Sequence, residues 1–278
     1  MNSTVATYET IGDKDYDFVR RLIYEHSRIN LGPEKKALVG ARLAKRLRAL
    51  NLGTYQEYCR LLKDSEDREE LSHLVDVIST NHTRFFREED HFQWLKSELL
   101  PKWRGQDSRP FRVWSAACSS GEEPYTVAIV LAEYFGNTSQ WSIEATDISS
   151  RVLETAEQGI YDEEKVASMP PEILRRYFQR GRAAWAGRCR IKELLRQKVT
   201  FRHLNLFQPS YPFRQGFQVI FCRNVMIYFD RPTQEDLIGR LRNQLEPGGH
   251  LLVGHSESLS GIRHGLVQVR PAIYRNGA

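Results

Sequence analysis

Apolar residues recur at helical spacing along the first third of the chain. Further on they gather into short blocks separated by helical stretches. In the opening stretch Phe18, Leu22 and Ile23 share one face. A Leu31-Gly32-Pro33 break follows. Val39, Leu43, Leu47 and Leu50 then line one side of a helix expected over 34–50, and Asn51-Leu52-Gly53 stops it. Thr54, with Glu57 three residues on, forms a capping box for the next helix. Another helix is expected over 67–78, with Leu71, Leu74 and Val75 inward. No strand pattern precedes residue 111.

The pattern changes after Pro101, where a linker rich in Lys, Arg, Gly and Asp runs to Pro110. A strand is expected over 111–117, then a tight turn of small residues and a helix. Strand 141–146 ends at Asp147, and a helix follows over 150–158. Strand 199–204 ends at Asn205, and strand 217–222 ends at Arg223-Asn224. A helix over 232–245 stops at Pro247-Gly248-Gly249, before strand 250–253 and two last apolar segments, 266–269 and 272–274. This alternation predicts an α/β domain with a mostly parallel, doubly wound sheet. Residues 159–198 are basic, poorly periodic and too long for a structureless loop, so they are read as an inserted subdomain.

Composition narrows the class. No apolar run is long enough to span a bilayer, and the first thirteen residues carry no apolar signal core. The four cysteines, Cys59, Cys118, Cys189 and Cys222, form no CxxC pair, which fits a reducing cytoplasm rather than a disulfide framework or a zinc site. A formal charge of +5 hints at an acidic partner. No HExxH, P-loop or GxSxG is present, and no metal is expected.

The turn after the first α/β strand carries the most chemistry. A dinucleotide site sets glycines and a bare helix N-terminus against pyrophosphate. Here Glu122 and Glu123 occupy the first helical turn and repel phosphate. They favour a cationic ligand without phosphate, such as S-adenosylmethionine. Glu122 also reads as a carboxylate complementing the helix dipole. Asp147 stands where ribose hydroxyls are bound or where a helix is capped. Asn205 and Asn224 end neighbouring strands, as ligand contacts or as turn formers. Tyr228 faces the crevice or belongs to the core. Thr80-Asn-His-Thr-Arg-Phe-Phe-Arg-Glu-Glu-Asp90 joins the two parts, and its residues alone do not separate a site from an anchor. In the basic helix Lys35, Lys36, Arg42, Lys45, Arg46 and Arg48 face the single acid Glu34; this is a solvated face or a docking surface for an acidic partner.

Five segments coincide in one family: Thr80-Asn-His-Thr-Arg-Phe-Phe-Arg-Glu, Ser115-Ala-Ala-Cys-Ser-Ser-Gly-Glu-Glu-Pro-Tyr, Ala145-Thr-Asp-Ile, Phe221-Cys-Arg-Asn-Val-Met-Ile-Tyr-Phe and Gly254-His-Ser-Glu. On these the chain resembles the chemotaxis receptor methyltransferases, the CheR family, over nearly its whole length. The one departure is Cys118, where small Ala-like residues are usual.

The resemblance implies a Rossmann-like class I S-adenosylmethionine-dependent methyltransferase domain (91–278) with a small inserted β-subdomain (159–198), preceded by an all-α domain with its interdomain segment (1–90). It implies that Asn81, Thr83 and Arg87 approach the cofactor, and that Glu122 and Asp147 bind its polar parts. Asn205 with Leu206, and Arg223 with Asn224, line its adenine and methionine side. Arg87 and Tyr228 stand nearest the transferable methyl. The basic helix, with Arg42, Lys45 and Arg46, docks on receptor helices. In the subdomain Arg180, Gly181, Gly187 and Arg190 resemble members that grip a pentapeptide at the receptor's C-terminus. The implied reaction is methyl transfer to receptor glutamates by a cytoplasmic monomer, with no nucleic acid bound and no membrane insertion. A nucleic-acid methyltransferase and a non-catalytic S-adenosylmethionine-binding scaffold are the rival readings.

Overall fold

Four helices carry the first part of the chain: α1 (Asp13–Ser27), α2 (Lys36–Ala49), α3 (Tyr55–Asp64) and α4 (Arg68–Ile78). The computed structural model describes residues 10–64, 68–79, 81–103, 109–136, 138 and 140–277. They divide into two units at residues 80 and 81. This division falls before the expected boundary at residue 90, because the segment after it packs on the second unit. There Phe85 meets Tyr161 and Phe178 edge-on at 5.0 and 5.6 Å.

The helical unit follows its sequence signals closely. Asn51 takes the left-handed conformation that ends a helix (φ 55°), and a 3₁₀ turn at Pro33–Lys35 marks the break before α2. The capping box forms: Thr54 Oγ1 accepts from Glu57 N at 3.2 Å, and Glu57 Oε2 accepts from Thr54 N at 3.1 Å. Val39, Leu43 and Leu47 are buried as expected. The inward face of α1 is rotated from the expected one, however. Tyr16, Val19, Ile23 and Ser27 are buried, while Phe18 lies partly open under the Lys63 ammonium at 4.8 Å.

The second unit opens with α5 (Asp90–Trp94), a π-helical turn (Leu95–Leu99) and α6 (Leu100–Trp103). Strands β1 (Phe111–Ser115), β2 (Trp141–Asp147), β6 (Val199–His203), β7 (Phe217–Cys222), β8 (Leu245–Val253), β9 (Leu266–Arg270) and β10 (Ile273–Asn276) form a seven-stranded sheet, ordered β6-β2-β1-β7-β8-β10-β9. Five strands are parallel, and β10 runs antiparallel to both neighbours. Every residue of β7 is buried, as suits a strand covered on both faces. Helices α7 (Glu122–Phe135), α8 (Ser150–Gln158) and α11 (Arg231–Arg242) alternate with these strands. Strand β8 begins at Leu245, ahead of the expected stop at Pro247-Gly248-Gly249. A register irregularity opposite Phe217 and Val219 accommodates the two glycines.

The inserted segment is a three-stranded antiparallel sheet. Its strands are β3 (Ile160–Asp162), β4 (Phe178–Arg180) and β5 (Arg188–Ile191), with β5 central, and its helices are α9 (Pro171–Tyr177) and α10 (Glu193–Arg196). Strands of three or four residues are too short to show a period of two, which is why their β character is hidden in the sequence.

Candidate active site

Strand order reverses between β1 and β7, and the loops at the carboxyl ends of these strands form the crevice where open α/β sheets bind ligands. The β1 loop is pinned to both neighbouring strands. Ala116 N donates to Phe221 O at 2.8 Å, and Cys118 N donates to Thr146 O at 2.9 Å. Small residues are needed where the chain turns into α7. Gly121 has φ 95°, and a Cβ there would meet Tyr161 Oη at 2.8 Å and Ala156 Cβ at 2.9 Å.

Asp147 is buried and ties two loops together. It accepts from Ser119 N at 2.8 Å and from Ser149 N at 3.0 Å. It does not cap α8: Ser149 does, accepting from Val152 N. Glu122 is fully buried, and its carboxylate already has partners. Ser120 Oγ donates to it at 2.6 Å, and Lys165 Nζ, from the inserted subdomain, lies 2.6 Å from its other oxygen. Lys165 also lines a cleft of about 290 Å³ with Tyr161, Asp162, Trp185 and Arg188. Nothing in the sequence pattern marks Lys165.

Arg223 follows the last residue of β7 and is buried. Its side chain is 2% exposed and sits between two carboxylates, Glu88 Oε2 at 3.0 Å and Glu123 Oε2 at 3.0 Å. It also donates to the carbonyl oxygen of Arg87. Each nitrogen of the Arg223 fork thus has a partner inside the protein, so the side chain builds the site. The charge at Glu88 is secure: burial works against it, but the amide of Asn224 and the Arg223 guanidinium outweigh burial and hold its pKa below the ordinary carboxylate value. Glu123 goes the other way, pushed up by burial with Arg223 and Ser115 opposing.

This cluster presents Arg87. Phe86 and Glu88 both have positive φ, 53° and 55°, conformations that a non-glycine residue holds only where its surroundings fix it. Phe86 N donates to Thr126 Oγ1 at 3.1 Å, and Glu88 is fixed by Arg223 and Asn224. Arg87 itself is half-buried, with Nη1 donating to His82 O at 2.8 Å. Beneath lies His91, 1% exposed, with neither ring nitrogen hydrogen-bonded among the described residues. Burial, then the Arg223 charge, push its pKa down to about 3. Glu88, His91 and His255 bring ligand atoms within 4.8 Å of one another. The guanidinium already paired with Glu88 opposes a second cation there, so the group reads as packing around Arg223.

Asn224 and Tyr228 leave β7 together. Asn224 takes φ 59°; its Nδ2 donates to Glu88 Oε1 at 3.1 Å, and its backbone N donates to Glu257 Oε2 at 2.7 Å. Tyr228 closes the 3₁₀ turn Met226–Tyr228 and is half-buried. Asn205 adopts the turn-forming role, its Oδ1 accepting from Phe207 N at 2.9 Å, and Leu206 is buried beside it. Asn81 and Thr83 are half-buried on the segment leading to Arg87. Asn81 Nδ2 and Ser119 Oγ are buried without a hydrogen-bond partner among the described residues, polar atoms of the kind a bound ligand satisfies. Together with the two strand-end carboxylates, these fit a ligand with hydroxyl and ammonium groups. The sequence assigns no role to Glu88 or Glu257 and reads Glu123 as a charge towards the ligand rather than towards Arg223, because a carboxylate within a motif does not reveal which way it points.

The residues expected to meet a protein substrate divide in two. Arg46 forms an ion pair inside the helical unit with Glu70, at 3.1 and 2.5 Å, and Glu70 also accepts from Tyr58 Oη. Arg42 reaches the carbonyls of Ile78 and Ser79. Both are turned to the structure rather than outward, whereas Lys35, Lys45 and Arg48 are exposed. In the inserted sheet Arg180 pairs with Glu163 at 2.7 Å and Arg190 donates to Gln158 O at 3.2 Å, both on the surface. Gly181 and Gly187 shape the β4–β5 connection, where Gly181 N donates to Arg188 O.

Comparison with known proteins bears on the whole chain. Residues 14–79 match the CheR methyltransferase all-alpha domain, and residues 81–273 match the CheR methyltransferase SAM binding domain. A chemotaxis protein methyltransferase of Borreliella burgdorferi is 38% identical, over 92% of this chain and 91% of that protein. Chemotaxis protein methyltransferase 2 of Pseudomonas aeruginosa is 41% identical, over 94% and 92%. The chemotaxis protein methyltransferase of Escherichia coli is 39% identical, over 91% and 87%.

Proposed function

Because the chain belongs to the CheR methyltransferase family and its residues 81–273 match that family's SAM binding domain, we propose that it methylates glutamate side chains of chemotaxis receptors as γ-methyl esters. The observation that carries the reading is the presentation of Arg87 on a strained turn, held by Arg223 and Glu88, at the end of the segment entering the crevice.

When bound, S-adenosylmethionine supplies a methyl group on a positively charged sulfur. The protein's task is to bring a carboxylate up to it. A glutamate has an ordinary pKa near 4.3, so at neutral pH the substrate is already the nucleophile and needs no general base. Arg87 orients that carboxylate. A tight bidentate pair would quench the nucleophile, and one N–H of Arg87 Nη1 is already given to His82 O. Tyr228 borders the same space. Proximity of this kind contributes up to roughly 7–11 kcal/mol in favourable cases.

The receptor is met in two places on this reading. Lys45 and Arg48, exposed on α2, with Lys35 exposed in the turn before it, suit the acidic methylation region of receptor helices. The inserted sheet has two edge strands, β3 and β4, and a receptor's C-terminal pentapeptide would add a strand at one of them, its charges met by Arg180 and Arg190. The protein acts as a monomer in the cytoplasm; no helix among the described residues is long and apolar enough to cross a membrane. Radiolabelled cofactor offered to receptor cytoplasmic domains, with and without their tails, to RNA and to the enzyme alone tests the reading. Label on the receptor as a base-labile ester is expected. Label on RNA, or on nothing, overturns it.

A further inference from the structure

Glu257 lies beyond β8, far along the chain from the loop that follows β7, yet it holds that loop together. It is 6% exposed, and its two oxygens accept from backbone groups: Asn224 N at 2.7 Å, Met226 N at 2.8 Å and Gly254 N at 2.6 Å. From the opposite side Gln234 Nε2, on α11, donates to the carbonyls of Met226 at 2.9 Å and Phe229 at 3.0 Å. The loop is thus clamped through its N–H groups by a carboxylate and through its C=O groups by an amide. A fully formed set of buried polar bonds fixes one conformation, and a half-formed set is worse than none. Here the fixed conformation is an unusual one, with Asn224 at φ 59°, and it sends the Asn224 amide to Glu88. The approach is so close that a Cβ on Gly254 would lie 2.4 Å from Asn224 Nδ2 and 2.8 Å from Glu257 Oε2.

We propose that Glu257 is a positioning residue for methyl transfer: through the N–H groups of Asn224 and Met226 it sets where Asn224 and Tyr228 stand in the crevice. The inference rests on the reading of that crevice as the methyl-transfer site. It predicts that turnover and cofactor affinity depend on a carboxylate that touches neither cofactor nor receptor.

The test uses the full-length protein. Glu257→Gln sets a donor group against backbone donors while keeping size. Thermal unfolding, calorimetric binding of S-adenosylhomocysteine, and kcat and KM for a receptor cytoplasmic domain are measured together. The folded variant is expected to lose about 10–100-fold in kcat and in cofactor affinity, with the receptor KM within about twofold, since small displacements in a positioned site have effects of that size. Cofactor affinity and kcat unchanged in a folded variant, or losses that match the unfolded fraction alone, overturn the proposal. Gly254→Ala leaves the carboxylate in place and pushes on the same junction; it is expected to show the same split, and it decides the matter if Glu257→Gln does not fold. Asn224→Ala and Tyr228→Phe serve as references. If both keep full turnover, the reading of the site fails. If they lose turnover while Glu257→Gln does not, the role of Glu257 alone fails.

Discussion

The guanidinium of Arg223 donates to the carbonyl oxygen of Arg87. One arginine thus holds the backbone of another, and the held residue is the one proposed to orient the substrate carboxylate. Arg223 can do this because Glu88 and Glu123 neutralise it on either side while its own side chain is buried. Removing one partner from a buried ion cluster leaves a charge without compensation, which typically destabilises by about 3–5 kcal/mol. Arg223→Met is therefore expected to lower the stability of the second unit by about that amount, read by urea unfolding. Arg223→Lys should recover little, because an ammonium cannot fork between two carboxylates and a carbonyl. Near-native stability in either variant would contradict the arrangement.

Arg87 and Tyr228 differ in what they can contribute. A guanidinium can orient a carboxylate by charge and hydrogen bonds, whereas a phenol at neutral pH offers shape and one hydrogen bond. Arg87→Ala is expected to lose most turnover, and Tyr228→Phe less, in a methyl-incorporation assay. Near-normal incorporation by Arg87→Ala would remove its orienting role.

Arg46 and Lys45 are neighbours on the basic helix and look equivalent in the sequence. Arg46 is paired with the buried Glu70, and Lys45 is exposed. Arg46→Ala is expected to destabilise the helical unit by about 3 kcal/mol, because the buried Glu70 keeps the Tyr58 hydroxyl but loses its counter-charge. Lys45→Glu should leave the unfolding midpoint in place and raise the KM for receptor. If Arg46→Ala instead changed KM alone, the ion pair would not be the main role of Arg46.

Two buried histidines make stability depend on acid. His91 and His250 are pushed by burial from 6.5 down to about 3 and about 4. Below pH 6.5 the unfolded chain takes up protons that the folded chain refuses, so stability is present above that pH and is lost as the pH falls towards the folded values. Each histidine contributes a slope of about 1.4 kcal/mol per pH unit within its window. Glu123 and Glu257, raised by burial, oppose this over part of the same range. His91→Gln is expected to flatten the fall in stability between pH 6.5 and 4.5 by about one proton's slope. An unchanged slope would mean that His91 is protonated in the folded state.

Much of this protein is legible from its residues. The helices of the first unit, their caps at Asn51 and Thr54, and the strand–turn–helix at Gly121 are local matters, settled by periodicity and by the few residues that tolerate a given turn. The short strands of the inserted sheet are not legible, because three residues carry no period. The strand ends are legible as one side of the sheet, since a parallel sheet places its loops on one side whatever their composition.

By itself the sequence determined the two-part architecture, the run of elements and the residues gathered at the strand ends, because those depend on spacing along the chain. Which charges face a ligand and which face each other was decided only by the tertiary structure. The Arg223 side chain turns inward to Glu88 and Glu123, and the Arg46 side chain turns to Glu70. A buried charge must find an opposite charge or a set of hydrogen bonds, and its partner can lie anywhere in the chain. Glu88 and Arg223, and Glu257 and Asn224, are such pairs, brought together by the order of the strands rather than by any pattern that a reading along the chain could detect.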